Sequence, residues 1–244
     1  MPDYHFFINV LLFTVVVLLM LLLYPLTGYY QSKRLKEQMM AGYFTKEQWY
    51  RSSLIWSWVP AAIIVSVSLL SGSSLYDLGF RLPSRDVNDV NTSAYLIALS
   101  VSILYFLYNI YCILSLKFSK KTRMEHAAKL HPSIKLMLPS TKSEKKVWIL
   151  LSLTAGITEE VQYRGYLFMA FLLLFPHLNP LYAVVISTLL FSLGHIYQGK
   201  EALKPMMAGL ALSLILYFTG SLYIVIALHS LQDLVAKEVL NESD

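Results

Sequence analysis

Three features of the sequence predict an all-α, polytopic transmembrane helical bundle. The 244 residues are 56% hydrophobic and only 14% charged, against about 25% charged in ordinary soluble domains, and the mean hydropathy is +0.54. Apolar runs long enough to cross a bilayer alternate with polar segments along the whole chain. The basic residues gather in connections between those runs, the pattern that orients a membrane protein. The expected architecture has about seven spans, with room for an eighth inside the long fourth segment, around an intramembrane polar cavity. A net charge of +5 distributed in this way points to membrane topology and away from nucleic acid. The single cysteine, Cys112, excludes an intrachain disulfide and a cysteine-based metal site.

The elements follow in order. Residues 6–26 are apolar and lack the positive leading region and cleavage site of a signal peptide, so they read as a retained helix. Residues 29–51 are polar and basic, and 52–72 form a second span. Residues 73–92 are a loop, and 94–116 form a third span whose strongly polar side chain is Asn109. Residues 117–146 are the most basic connection, from Lys117 to Lys146. Thr141-Lys142-Ser143-Glu144 then has the pattern of a capping box, in which the threonine accepts from the third helical amide and the glutamate reaches back. A helix is predicted from there to about Phe175, longer than one crossing needs, with its first turns at the interface or a break near Gly165. Spans at 181–196, 202–219 and 222–238 complete the chain. The basic loops 29–51 and 117–146 fall on one side, which puts the N-terminus outside and the C-terminus in the cytoplasm.

The last hundred residues carry charge inside these apolar stretches. Glu159, Glu160 and Arg164 lie in the fourth, His195 in the fifth, and His229 and Asp233 in the seventh. An ionised group at the bilayer centre costs about 2.5–3.5 kcal/mol, so such groups are expected to face a functional interior. Counted at 1.5 Å per residue, Glu159 lies about 18 Å from the cytoplasmic end of its span, His195 about 20 Å and His229 about 10 Å from the outer ends of theirs. In a core about 30 Å thick, all fall in a middle zone and can share one cavity. Glu160–Arg164, Phe191–His195 and His229–Asp233 are each four apart, on one helical face. Each also has a structural explanation: Glu160 and Arg164 as an ion pair, Phe191 as packing, His195 as an interhelical bond, Asp233 as a cap. The glycines at 156, 165, 194 and 209 fit close helix contacts. The weight rests on their co-occurrence at similar depth.

A Glu and a His held together at mid-membrane can bind a water and take its proton. A second His, with a polar partner one turn on, can hydrogen-bond the oxyanion of an amide under attack. That set suits peptide hydrolysis without a covalent intermediate. No serine sits in a nucleophile elbow. Two His and a carboxylate are also enough ligands for zinc, although no His-Glu-x-x-His helix is present. The cofactor is therefore open at this point: none, or a divalent metal such as zinc.

Glu-Glu-x-x-x-Arg, Phe-x-x-x-His and His-x-x-x-Asp, in this order on successive membrane helices, resemble the CPBP family, which comprises the type II CAAX prenyl proteases and the bacteriocin-processing or immunity proteins of the Abi group. The resemblance covers roughly residues 139–237, with Ala155-Gly156-Ile157-Thr158-Glu159-Glu160 through Tyr163-Arg164-Gly165 similar to the first motif in full. Leu78-Gly79-Phe80 is similar to a short element common before the core. The resemblance implies that Glu159 activates water, that His195 shares that water, that His229 and Asp233 form the oxyanion side, and that Glu160 and Arg164 orient the site. Position 233 departs from the prenyl proteases, which usually carry Asn. An amide donates to an oxyanion and an ionised Asp does not, so the CAAX-type substrate is not settled by the resemblance.

The resulting expectation is an intramembrane endopeptidase acting on a peptide or protein tail, prenylated tails included, at the lipid bilayer and with no nucleic-acid partner. Residues 1–138 are expected to supply N-terminal helices and basic loops, and residues 139–244 the catalytic core. The compact length and Asp233 suggest a bacterial plasma membrane. A non-catalytic immunity or scaffold protein of the same fold is the alternative. A proton-coupled transporter is a third, and would show inverted repeats and broken helices that the sequence lacks.

Overall fold

The computed structural model describes residues 4–43, 45–87 and 90–241, and these are 82% helical with no strand. Helix α1 (Tyr4–Leu18) runs through a π turn at Leu19–Leu23 directly into α2 (Tyr24–Met40). The first span therefore does not stop at the predicted boundary near residue 26. Pro25 occupies the first turn of α2, and the widened turn just before it takes up the hydrogen bond and the room that proline denies its upstream neighbour. The polar run after Pro25, predicted as connection, continues the same helix for another four turns. Helix α3 (Lys46–Leu70) starts at a capping box formed by Thr45 and Gln48, and α4 (Thr92–Phe118) starts at Asn91, whose side chain accepts from the Ala94 amide. The basic connection is partly ordered as α5 (Lys120–Lys129) and α6 (Pro132–Met137).

Helix α7 (Lys142–Glu160) begins as its sequence predicts. The Thr141 side chain accepts from the Glu144 amide, and the Glu144 carboxylate accepts from the Thr141 amide. The helix does not break near Gly165, one of the two expectations: a π turn, Val161–Tyr166, contains that glycine and continues directly into α8 (Leu167–Leu174). Helix α9 (Leu181–Gly194) passes through a 3-10 segment, Ile196–Ala202, to α10 (Leu203–Thr219). Gly220, with a left-handed φ of 66°, ends α10, and α11 (Leu222–Ala236) follows.

Among the described residues four helices are long and apolar enough to cross a membrane: Tyr4–Met39, Lys46–Leu70, Thr92–Phe118 and Ile196–Thr219. The expected seven spans are not reached by this measure. Leu181–Gly194 and Leu222–Ala236 are apolar but shorter, and the passage through α7 and α8 carries too much charge. At 14 residues α9 is about 21 Å long. The short helices are the ones that pack inward. Of the best apolar window of α3 or α4 only 17% is buried inside the protein, and Ile55, Ile63, Ile97 and Leu104 turn outward, as a lipid-facing surface requires.

Helix α7 holds the centre, packed against α3 on one side and α11 on the other, while α9 packs on α10 and α4 on α11. The α3–α7 contact is anchored by an edge-to-face pair, Tyr50 and Trp148, with ring centroids 5.1 Å apart. The Tyr50 hydroxyl donates to the Met137 carbonyl at 2.6 Å, which fastens α6 beneath the pair. In the loop after α3, Asp77 accepts from the Ser74 hydroxyl at 2.6 Å and its amide at 2.8 Å, bonds that hold its carboxyl below the usual range. That turn presents Leu78, 1% exposed, to the π turn, and a Cβ on Gly165 would come within 3.0 Å of the Leu78 carbonyl oxygen.

The α7–α11 crossing is close. A Cβ at Gly156 would overlap the Ser230 hydroxyl and lie 2.9 Å from the Ser230 backbone nitrogen. Ser230 follows His229, so this glycine sets how near α11 comes to Glu160. Gly156→Val is expected to push the helices apart and destabilise the protein by about 1–3 kcal/mol, the range for overpacking. A lowered thermal midpoint in detergent checks this, and an unchanged midpoint would contradict the close crossing.

Candidate active site

The last turn of α7 and the π turn carry Glu159, Glu160, Gln162 and Arg164 inward. Glu160 and Arg164 form the ion pair expected from their spacing: Arg164 Nη1 donates to Glu160 Oε1 at 3.0 Å, and neither side chain has any exposure. The rest of the guanidinium is also used. Nη2 donates to the Gly209 carbonyl at 3.1 Å, Nε to the Ser213 hydroxyl at 3.3 Å, and the Phe191 ring lies 4.3 Å beneath Cζ. Phe191 is thus both packing and a cation–π partner. Gly209 is small because the Arg164 fork passes there: a Cβ would stand 2.8 Å from Nη2.

Glu160 reaches α11 as well. His229 Nδ1 lies 2.6 Å from Glu160 Oε1, so it carries a proton and donates it to the carboxylate. One buried carboxylate oxygen therefore joins Arg164 and His229, and burial of its charge is offset by both. The other ring nitrogen of His229 points to the remaining acids, 3.9 Å from Glu159 Oε2 and 3.7 Å from Asp233 Oδ2. Asp233 does not snorkel away. Its backbone carbonyl accepts from Trp148 Nε1 at 2.9 Å, which fixes the end of α11 to α7.

His195 caps the C-terminal end of α9. Its Nδ1 is 2.9 Å from the Phe191 carbonyl, an oxygen that only accepts, so Nδ1 holds the proton and a neutral ring leaves Nε2 bare as an acceptor. Glu159, His195, His229 and Asp233 all line one polar cavity of about 190 Å³, with Gln198 and Gln232. Glu159 and His195 also line a second cavity, about 350 Å³, on the side of α2 and α3. The two residues stand where the cavities adjoin. The second cavity shares Tyr24, Thr27, Gln31, Trp56 and Pro60 with an apolar groove of about 400 Å³ between α1 and α3.

All six residues singled out in the sequence thus come together around α7, α9 and α11. Sequence reasoning did not find Gln162, whose carbonyl oxygen accepts from the Tyr24 hydroxyl at 2.7 Å and whose amide donates to the Thr158 carbonyl at 2.9 Å. Nor did it find Gly209 and Ser213 on α10 as partners of Arg164. A polar residue inside the first motif was the available signal for Gln162; Ser213 carried none. Among the described residues no three His, Cys, Asp or Glu side chains are gathered in a way that could hold a metal ion.

Comparison with known families bears on the same stretch. Residues 143–235 match the family described as type II CAAX prenyl endopeptidase Rce1-like. This segment, under half of the chain, is similar to that family. The match spans every one of the six site residues, from Glu159 to Asp233, and begins within the capping box of α7. The matched family is one of proteases, and the apolar helices of the chain support an integral membrane protein. No curated protein and no solved structure gave a match.

Proposed function

We propose that the chain is an intramembrane endopeptidase that hydrolyses a peptide bond with a water held between Glu159 and His195. Residues 139–244 act as the catalytic core, and residues 1–138 supply flanking helices and the basic loops. The observation that supports this most is the division of labour among the six residues. Glu159, His195, His229 and Asp233 face a cavity, while Glu160 and Arg164, wholly buried, brace His229 from behind.

In this reading the Glu159 carboxylate takes a proton from the water, whose oxygen bonds to the carbonyl carbon of the substrate as the carbonyl electron pair moves to oxygen. His195 steadies the water through its bare Nε2. His229, with Nδ1 held by Glu160, donates from Nε2 as the imidazolium to the oxyanion. When the tetrahedral species collapses, the C–N bond breaks and the proton on Glu159 passes to the leaving amine. One water is consumed and no bond to the enzyme forms.

The substrate class is a peptide or protein tail. The apolar groove beside the second cavity suits a prenyl chain on that tail, with the peptide passing Tyr24 and Trp56 toward Glu159. A bacteriocin-like peptide is the other substrate that such a site would take. The basic segments 29–51 and 117–146 orient the chain with its C-terminus in the cytoplasm of a bacterial cell, and the short helices complete seven passages.

The test is hydrolysis of two quenched-fluorescent copies of one CAAX-ended peptide by the purified protein in liposomes, one copy farnesylated. Cleavage of the farnesylated copy, with KM at least about tenfold lower than for the bare one, is expected, since each buried methylene contributes about 0.8 kcal/mol. Equal cleavage would remove the lipid groove from the account. Cleavage of neither would contradict the CAAX-type reading.

A further inference from the structure

An oxyanion formed in the cavity needs donors, and position 233 supplies an acid in place of one. Asp233 has no proton to give when ionised. The cavity lining contains three other candidates besides the two histidines: Gln198, Lys204 and Gln232. Two are engaged. Gln198 Nε2 donates to the Tyr197 hydroxyl at 3.3 Å, and Lys204 Nζ pairs with Glu201 Oε2 at 2.5 Å. The third is held differently. The Tyr105 hydroxyl donates to Gln232 Oε1 at 2.5 Å, which occupies the carbonyl end of the amide and leaves the NH₂ end to the cavity. Tyr105 is itself on α4, which packs against α11, and its backbone carbonyl accepts from the Asn109 side-chain amide at 2.8 Å. Gln232 lies three residues after His229, on the same face of α11.

We infer that Gln232 is a further catalytic residue: its Nε2 donates to the oxyanion beside His229 Nε2, in place of the side-chain amide that residue 233 lacks, and Tyr105 positions it. The inference rests on the endopeptidase reading above. No atom is transferred to or from Gln232, which makes one more hydrogen bond in the transition state than in the ground state.

The experiment is cleavage of the farnesylated quenched-fluorescent peptide by the full-length protein and four variants, with thermal midpoints recorded on each. Gln232→Met keeps the size and removes the donor, and kcat should fall by about 10²–10³-fold with KM changed less than about threefold, as for loss of an oxyanion donor. Asp233→Asn added to Gln232→Met returns a donor one residue away and should recover at least about tenfold of that loss, which a packing role for Gln232 would not produce. Tyr105→Phe keeps the amide but frees its rotation, and kcat should fall by about tenfold. It serves as the test if Gln232→Met does not fold. Asp233→Asn alone is the single-substitution reference against which the double variant is read. Wild-type cleavage together with Gln232→Met within threefold of wild-type kcat would overturn this inference and leave the endopeptidase reading standing. The same follows if the loss appears in KM and thermal midpoint, or if the double variant recovers nothing. Absence of wild-type cleavage would overturn the endopeptidase reading and this inference with it.

Discussion

Glu159→Gln is expected to abolish peptide cleavage while leaving the protein folded. The substitution keeps the length and shape of the side chain and removes its capacity to take a proton. Glu159 is the acid of the motif pair that is open to the cavity, with 32% of its side chain exposed, whereas Glu160 is fully enclosed. General-base catalysis contributes about 10²–10⁴-fold, so kcat should fall by that factor. Stability should shift by no more than about 0.5 kcal/mol, because the contact of Glu159 with His229 Nε2 is long, at 3.9 Å. Single-turnover cleavage and thermal unfolding on the same preparation check both halves. Full activity in this variant would remove Glu159 from the chemistry.

Arg164→Ala is expected to act in the opposite way, through the fold. Arg164 is the largest fully buried side chain, tied to α7 through Glu160, to α10 through Gly209 and Ser213, and to α9 through Phe191. Its removal strands the Glu160 carboxylate with only His229 as a partner. Breaking a buried pair from one side costs about 3–5 kcal/mol, a large part of the about 5–15 kcal/mol that holds a domain together. The thermal midpoint and the folded yield should both fall sharply. Arg164→Lys should recover part of the charge but not the fork to three acceptors, and should fall between the two. A variant with alanine at 164 that is as stable as wild type would mean that Glu160 is neutralised by other means.

These two residues also mark what the sequence could and could not tell. Glu160 and Arg164 were legible as a pair because one helical turn separates them, and Thr141 with Glu144 was legible as a helix start for the same local reason. Near Gly165, where a break was one of two expectations, the helix continues through a π turn whose residues Gln162 and Arg164 are buried. The bond from Glu160 to His229 joins residues 69 apart and depends on the close α7–α11 crossing at Gly156. Nothing local encodes it; similar depth in the membrane was the available hint. The extension of the first helix to Met40 was missed because charged and polar side chains read as connection, although their backbone continues the hydrogen-bond ladder of the apolar run. The expected seven spans go beyond the four helices that, among the described residues, are long and apolar enough to cross a membrane; Leu181–Gly194 and Leu222–Ala236 are apolar but shorter.

The central claim is that Glu159 and His195 act on one and the same water, and kcat for Glu159→Gln, His195→Ala and the double variant measures it. Residues that act as a unit lose their effect once. The account predicts that each single variant loses about 10²–10⁴-fold and that the double variant is no worse than the weaker single one. Losses that multiply in the double variant, or full activity in either single variant, would contradict it.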